Sequence, residues 1–313
     1  MNYPATFRQL AIFASVAKHL NITRASETLH LSQPAVSMQM KQLELLIGMP
    51  LLEKKGKKLF LTEAGCIIRD HAEKTLASQS VLEETLAKLS GAEKGHLKLA
   101  VPETAIQFVT LLLAQFCQLH PGISFHLENH NRAGLLNCIK ENSCDLVIMG
   151  QTPAEMDLVS QAFMKNPLVI IAPPDHALSQ VQNISLQKLM QNEFVVREFG
   201  SGTRIAMQRF FAKHGVQLKT SMEMPNNVAI KQAVAAGLGL GIISLHTLQQ
   251  ELALKQVIIL QVEKMPIMRT WYIVHHKQKI LSPAMLIFIS FVAQNTQKIW
   301  CNKYPELLHY LPA

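Results

Sequence analysis

Through the first 90 residues, apolar positions recur at three- and four-residue spacing, and each run opens on a residue able to cap a helix. Thr6 precedes Phe7, Leu10, Ala11, Ala14 and Ala17, which share one helical face. Asn21 or Thr23 opens a short second helix carrying Ala25 and Leu29. Ser32 opens a third, with Pro34 in its first turn, where a missing N–H costs nothing, and Gly48 ends it. Val36, Met40, Leu43 and Ile47 form the buried stripe of that third helix. Gln33, Ser37, Gln39, Lys41 and Gln42 make up its polar side, beginning at the helix N-terminus. Amide and hydroxyl groups there can read base edges, and two short helices around a tight turn predict a helix-turn-helix. A small helical bundle with a solvated face would give the same pattern.

The next segment separates these readings. Leu51-Leu52 and Leu59-Phe60-Leu61 flank a basic turn of Lys54, Lys55, Gly56, Lys57 and Lys58, which predicts a β-hairpin wing. Residues 1–62 hold eight Lys+Arg against three acids, a surface suited to phosphates. The candidate DNA contacts are therefore Thr23, Ser32, Gln33, Pro34, Ser37, Gln39, Lys41 and the four wing lysines. Thr62 then caps a helix from Glu63 to about Ser90, with Ile67, Ile68, Ala72, Leu76, Leu82, Leu86 and Leu89 recurring along it. Such a helix spans about 40 Å, too long for a small domain to cover, which predicts a partner helix from a second chain and a homodimer.

After Gly91–Gly95, read as a hinge, the pattern changes to short apolar strands alternating with helices. Strands are expected at 97–101, 123–127, 145–149, 167–172, 194–196, 240–244 and 271–275. Helices are expected at 104–116, 132–140, 203–214, 227–236 and 283–299. Alternation predicts a mostly parallel sheet with covered faces. Two lobes follow, about 91–165 with 268–300 and about 166–267, the chain crossing near Ala162–Pro167 and Lys264–Arg269. The domains are then 1–62 for DNA, 63–90 for dimerisation and 91–313 for a ligand.

Ligands in open α/β sheets lie beyond the carboxyl ends of strands. Three places qualify: Glu103-Thr104, the segment from Arg197 to Arg204 with Ser201, Gly202 and Thr203, and Asn226-Asn227. Glycine admits a ligand to the backbone, N–H groups at a helix start attract anions, and Arg197 and Arg204 can hold a carboxylate or phosphate in two bonds. The plainer reading makes Thr104, Thr203 and Asn227 helix caps and leaves the arginines in water.

Composition adds modest constraints. The 313 residues carry a formal net charge of +8, and residues 91–313 share in the surplus, with 19 Lys+Arg against 14 Asp+Glu. Polyanionic partners are favoured. Met1–Leu10 holds no apolar leader and no stretch reaches transmembrane length, so a cytoplasmic protein without a membrane partner is expected. The five cysteines form no CxxC pair. Buried thiols, no metal site and no bound cofactor are therefore expected, with a Cys138/Cys144 redox switch as the alternative.

The motifs Ser32-Gln33-Pro34-Ala35-Val36-Ser37, Leu43-Glu44, Gly48, Leu51 and Leu61-Thr62-Glu63-Ala64-Gly65 resemble those of LysR-type transcriptional regulators. That resemblance implies an N-terminal winged helix-turn-helix, a dimerising linker helix, and a two-lobed periplasmic-binding-protein-like α/β effector domain. Lys54 and Lys57 stand where the wing usually carries arginine. Asn131-Arg132, Asp145 to Gly150, Ile171 to His176, Arg197 to Arg204, Ile230 to Val234, Trp271-Tyr272 and Leu281 to Ala284 resemble the branch that controls Calvin-cycle carbon-fixation operons. Asn131, Arg132 and Gly150 join the candidate effector residues on that basis, and the branch implies phosphorylated metabolites or NADPH as effectors. Glu103, Gln151, Phe199 and Asn227 depart from its usual serine, arginine, proline and glutamate. The expected partners are promoter or operator double-stranded DNA, a small metabolite, and further copies of the chain as a homodimer and homotetramer.

Enzymatic readings fare poorly. Gly237-Leu238-Gly239-Leu240-Gly241 follows a helix instead of opening one, and His126-Leu127-Glu128-Asn129-His130 is not HExxH. The chain has no GxSxG and no P-loop. A two-lobed solute-binding protein is the best rival, but it has no use for residues 1–90.

Overall fold

The computed structural model describes residues 5–56, 58–89 and 94–310. Lys57 of the predicted wing, the Leu89 side chain and Ser90 of the predicted linker helix, and Gly91, Ala92 and Glu93 of the predicted hinge lie outside them. The chain divides into two compact units, one of residues 1–91 with Ile280–Ser282 and one of the remainder.

In the first unit α1 (Phe7–His19), α2 (Ile22–Thr28) and α3 (Gln33–Ile47) precede a hairpin of β1 (Leu52–Lys55) and β2 (Lys58–Leu61), then α4 (Glu63–Leu89). The caps are those the sequence implies. Thr6 and Gln9 form a reciprocal capping box, Asn21 Oδ1 accepts from Arg24 N, and Ser32 Oγ accepts from Ala35 N. Gly48 leaves α3 at φ 76°, a left-handed cap that suits glycine. Phe13, Val16, Ala25, Val36, Leu43 and Leu51 are fully enclosed in one core. Two residues tie the hairpin to it. Glu44 Oε1 accepts the N–H groups of Leu51 at 2.8 Å and Leu52 at 3.3 Å. Thr62 donates to Pro50 O at 2.7 Å and caps α4 by accepting from Gly65 N at 3.0 Å. A Cβ on Gly65 would lie 2.1 Å from Leu51 O, so glycine is required there.

In the second unit the strands are β3 (Gly95–Val101), β4 (Ile123–Asn129), β5 (Leu146–Met149), β6 (Leu158–Ala172), β7 (Glu193–Arg197), β8 (Lys219–Met224), β9 (Leu240–Ser244), β10 (Ile258–Ile259) and β11 (Ile267–His276). The helices are α5 (Ile106–Leu119), α6 (Arg132–Lys140), α7 (Leu186–Leu189), α8 (Gly202–Lys213), α9 (Asn227–Ala235), α10 (Gln249–Ala253) and α11 (Pro283–Lys303). The sheet order is β4-β3-β5-β11-β6-β9-β7-β8, with β10 beside β6.

The expected mostly parallel sheet is corrected to a mixed one. Each lobe is parallel inside, β3 with β4 and β5, and β7 with β8 and β9. The long β6 and β11 pair antiparallel to each other and to β5 and β9, carrying the chain between lobes. A chain that crosses twice between lobes and returns makes this antiparallel pair, which short-range alternation does not reveal. β6 begins nine residues before the predicted strand, because residues 159–162 are exposed and interrupt the apolar pattern with Ser160 and Gln161. Thr104 does not cap α5: a single 3-10 turn at Glu103–Ala105 intervenes, and α5 starts without a side-chain cap. Asn226, not Asn227, caps α9.

Candidate functional site

The basic unit presents α3 with Ser32, Gln33, Pro34 and Lys41 exposed and Ser37 half-buried, while Thr23 stands exposed on α2. Gln33, Ser37 and Lys41 are spaced four apart and share one face. Gln39 does not join them: two residues past Ser37 is about 200° around the helix, and it lies half-buried at the edge of the core stripe. In the wing, Lys54, Lys55 and Lys58 are exposed. Lys55 pairs with Glu53 at 2.8 Å and lies over the Phe60 ring, leaving Lys54 and Lys58 as the wing cations with no intramolecular partner among the described residues.

The second unit contains a cavity of about 290 Å³ at the carboxyl ends of β3, β4, β5 and β7, where the sheet's chain reversals leave room. Glu103, Thr104, Asn131, Arg132, Gly150, Arg197, Ser201, Gly202, Thr203 and Asn226 line it. Two expected residues do not. Arg204 turns away, donating to Arg197 O and pairing with Glu223. Asn227 lies behind the wall, where it bridges the lobes.

That bridge is centred on Arg197 and Asn227. Both Glu103 oxygens accept the Asn227 N–H, at 3.1 and 3.0 Å, and Oε2 lies 3.5 Å from Arg197 Nη1. Asn227 Oδ1 accepts from Arg197 Nη1 at 2.7 Å, and its Nδ2 donates to Thr104 Oγ1 at 3.1 Å. Arg197 also makes a two-bonded pair with Glu198, at 2.7 and 2.9 Å. Arg197 is thus buried and doubly matched by acids, a structural cation more than a spare one. Thr104 serves as an acceptor in this network.

A further cavity cation, outside the sequence-expected site, is Arg269. It stands on β11 with its guanidinium between two glycines. A Cβ on Gly150 would meet its Nη2 at 2.2 Å and one on Gly202 at 3.4 Å. Among the described residues the guanidinium has neither hydrogen bond nor acidic partner. Burial, and then repulsion from Arg132, pushes its pKa down to about 10, so it stays charged at neutral pH. Arg132 is likewise lowered, by burial first and Arg209 second. It donates to Gln151 O, while Arg209 donates to Gln151 Oε1 at 2.7 Å. Ser201 caps α8 without a side-chain bond, so the first N–H groups of α8 are left to whatever occupies the cavity. Lys231, by contrast, is buried against Glu251 at 2.6 Å and contributes nothing to the cleft.

Cys138 and Cys144 are both buried, and burial pushes the Cys144 thiol up to about 12. A thiol held protonated reacts slowly with oxidants, which tells against a redox switch here.

Residues 7–66 match the model of the bacterial regulatory helix-turn-helix protein, lysR family, and residues 90–297 that of the LysR substrate binding domain. The RuBisCO operon transcriptional regulator of Allochromatium vinosum is 46% identical over 297 residues, 95% of this chain and 98% of its own. The HTH-type transcriptional activator CmpR of Synechocystis sp. is 39% identical over 295 residues, 94% of this chain and 97% of its own. The solved structure of the Synechocystis PCC6803 CcmR regulatory domain in complex with 2-PG is 39% identical, covers 64% of this chain and 99% of that one, and superposes with a TM-score of 0.62. The N-terminal match leaves no place for the solute-binding reading, and relatives of this kind are regulators, not enzymes. The chain belongs to the LysR family of transcriptional regulators, similar throughout to its carbon-fixation branch.

Proposed function

We propose that this regulator senses a small phosphorylated or carboxylated metabolite in the cleft and converts its occupancy into altered binding at a promoter. The observation behind it is Arg269: a buried guanidinium with no acidic partner among the described residues, facing Arg132 and the uncapped start of α8. Burying an unpaired cation is costly, and a bound anion removes that cost. The 2-PG named with the CcmR domain supports the same ligand class. Gln33, Ser37 and Lys41 would meet bases, with Lys54 and Lys58 on phosphates. The exposed Ile67, Leu82 and Leu86 of α4 would meet a second copy, and dimers would pair into a tetramer. No described helix is long and apolar enough to cross a membrane, which accords with a cytoplasmic site of action.

An anion held between lobes biases their closure and so couples the cleft to DNA. The test is fluorescence anisotropy of the DNA upstream of its own gene and of carbon-fixation promoters, with and without 2-PG and a panel of small phosphorylated carboxylates. A salt-sensitive, sequence-preferring isotherm that shifts with one of these is expected. Binding that none of them shifts would remove the effector reading, and no specific binding would remove the promoter assignment.

A further inference from the structure

Adjoining the cavity, whose wall includes His130, lies a cluster of different chemistry. The edge strand β4 carries His126 and Glu128 on one face, since alternate residues of a strand point the same way, and His130 follows directly after its last residue, Asn129. His126–His130 lacks the helical zinc motif, but at the end of this strand the two histidines and the glutamate are brought together. Glu128 Oε2 lies 2.9 Å from His130 Nε2, and Oε1 lies 3.4 Å from His126 Nε2. α6 packs on β3, β5 and β11 and brings Cys138 beside these groups. One ligand atom each from Glu128, His130 and Cys138 falls within 4.8 Å of the others. Gly134, one turn before Cys138, opens the space: a Cβ there would lie 3.0 Å from His130 Cβ and 3.2 Å from Nδ1.

We propose that Glu128, His130 and Cys138 form a binding site for a zinc-class divalent cation, with water or His126 as fourth ligand. Thiolate and imidazole donors select Zn2+ and its neighbours over Mg2+ or Ca2+. Around a tetrahedral Zn2+ the ligand atoms stand roughly 3.5 Å apart, so side-chain shifts of about 1 Å close the site. On binding, the Cys138 thiol proton passes to solvent, and the cation replaces the Glu128–His130 hydrogen bond. Glu128 and His130 are about one-third exposed and provide the way in, while Cys138 is the buried floor. The metal would staple β4 to α6, which carries Arg132 at its first turn.

The test uses the reduced, chelator-stripped full-length protein titrated with Co2+ and then Zn2+. One Co2+ per chain is expected, with a thiolate-to-cobalt charge-transfer band that Zn2+ abolishes. Cys138→Ser should remove the band, whereas Cys66→Ser and Cys117→Ser, which alter exposed thiols, should leave it. Glu128→Gln, a near-isosteric change at a partly exposed position, should weaken affinity at least about tenfold without affecting the fold. Absence of a thiolate band, or a band unmoved by both Cys138→Ser and Glu128→Gln, overturns the site.

Discussion

Glu103 and Asn227 stand 124 residues apart, and both carboxylate oxygens of the first accept the backbone N–H of the second, at 3.1 and 3.0 Å. The contact joins the first turn after β3 to the start of α9, and so one lobe to the other. Arg197 completes it, leaving Arg269 and Arg132 as cleft cations without an acidic match among the described residues. The Asn227 side chain bonds Arg197 and Thr104, so positions 103 and 227 meet through the backbone N–H of one and the shared guanidinium of Arg197.

Replacing Glu103 with Gln keeps an acceptor for Asn227 and removes the charge from Arg197. Unliganded stability should fall by about 1 kcal/mol, a few degrees in thermal unfolding. Affinity for an anion should rise, since a repelling carboxylate is gone. Thermal unfolding with and without ligand measures both.

His246 is fully buried between Phe108 and Trp300, accepts from Trp271 Nε1 at 3.2 Å, and is pushed down to about 3 by burial. The unfolded chain takes up a proton near pH 6.5, and the native site does not until about pH 3. Its contribution therefore costs stability as pH falls through that window, by about 1.4 kcal/mol per unit. His246→Gln should be less stable at pH 7, yet the gap to wild type should narrow by that slope between pH 6 and 4. Denaturant unfolding across this range reads it.

On DNA, Lys54→Ala and Lys58→Ala should each lower affinity evenly across sequences and reduce the log–log salt slope by about 1. Gln33→Ala should instead relax preference at particular base pairs by about 1–3 kcal/mol with an unchanged slope. Binding isotherms at several salt concentrations separate the two classes.

Along α4, Ile67, Leu82 and Leu86 are 63%, 57% and 55% exposed, whereas Ala72 is fully enclosed. Ile67→Asp combined with Leu82→Asp should yield monomers by sedimentation equilibrium and lose most specific DNA affinity, while the core around Phe13 and Leu43 stays intact.

What the sequence disclosed follows from how far each determinant reaches along the chain. The helix-turn-helix was legible because its caps, Thr6, Asn21, Ser32 and Gly48, lie within four residues of the groups they satisfy. α6 was legible to the residue for the same reason, since Asn131 caps it and Lys140 closes it. The edge strand β8 was missed, because Lys219–Met224 is exposed almost throughout and shows no apolar alternation. Arg269 was missed as a site residue because a lone arginine in an apolar strand carries no local mark. Its meaning comes from Gly150 and Gly202, far away in sequence. Arg204 was overread because its own neighbours look like an anion loop, while its partner Glu223 lies on another strand.

Arg269 is the proposed anchor for a small anion in the cleft. Calorimetric titration of 2-PG and small phosphorylated carboxylates into the full-length protein, its Gly150→Ala variant and its Arg269→Gln variant tests it directly. An added methyl at position 150 displaces the guanidinium, and the glutamine removes it. Loss of a charge-assisted hydrogen bond is worth about 1.5–3 kcal/mol, so both variants should bind the best ligand at least about tenfold more weakly while their DNA domains remain folded. An affinity unchanged in both variants would contradict the account.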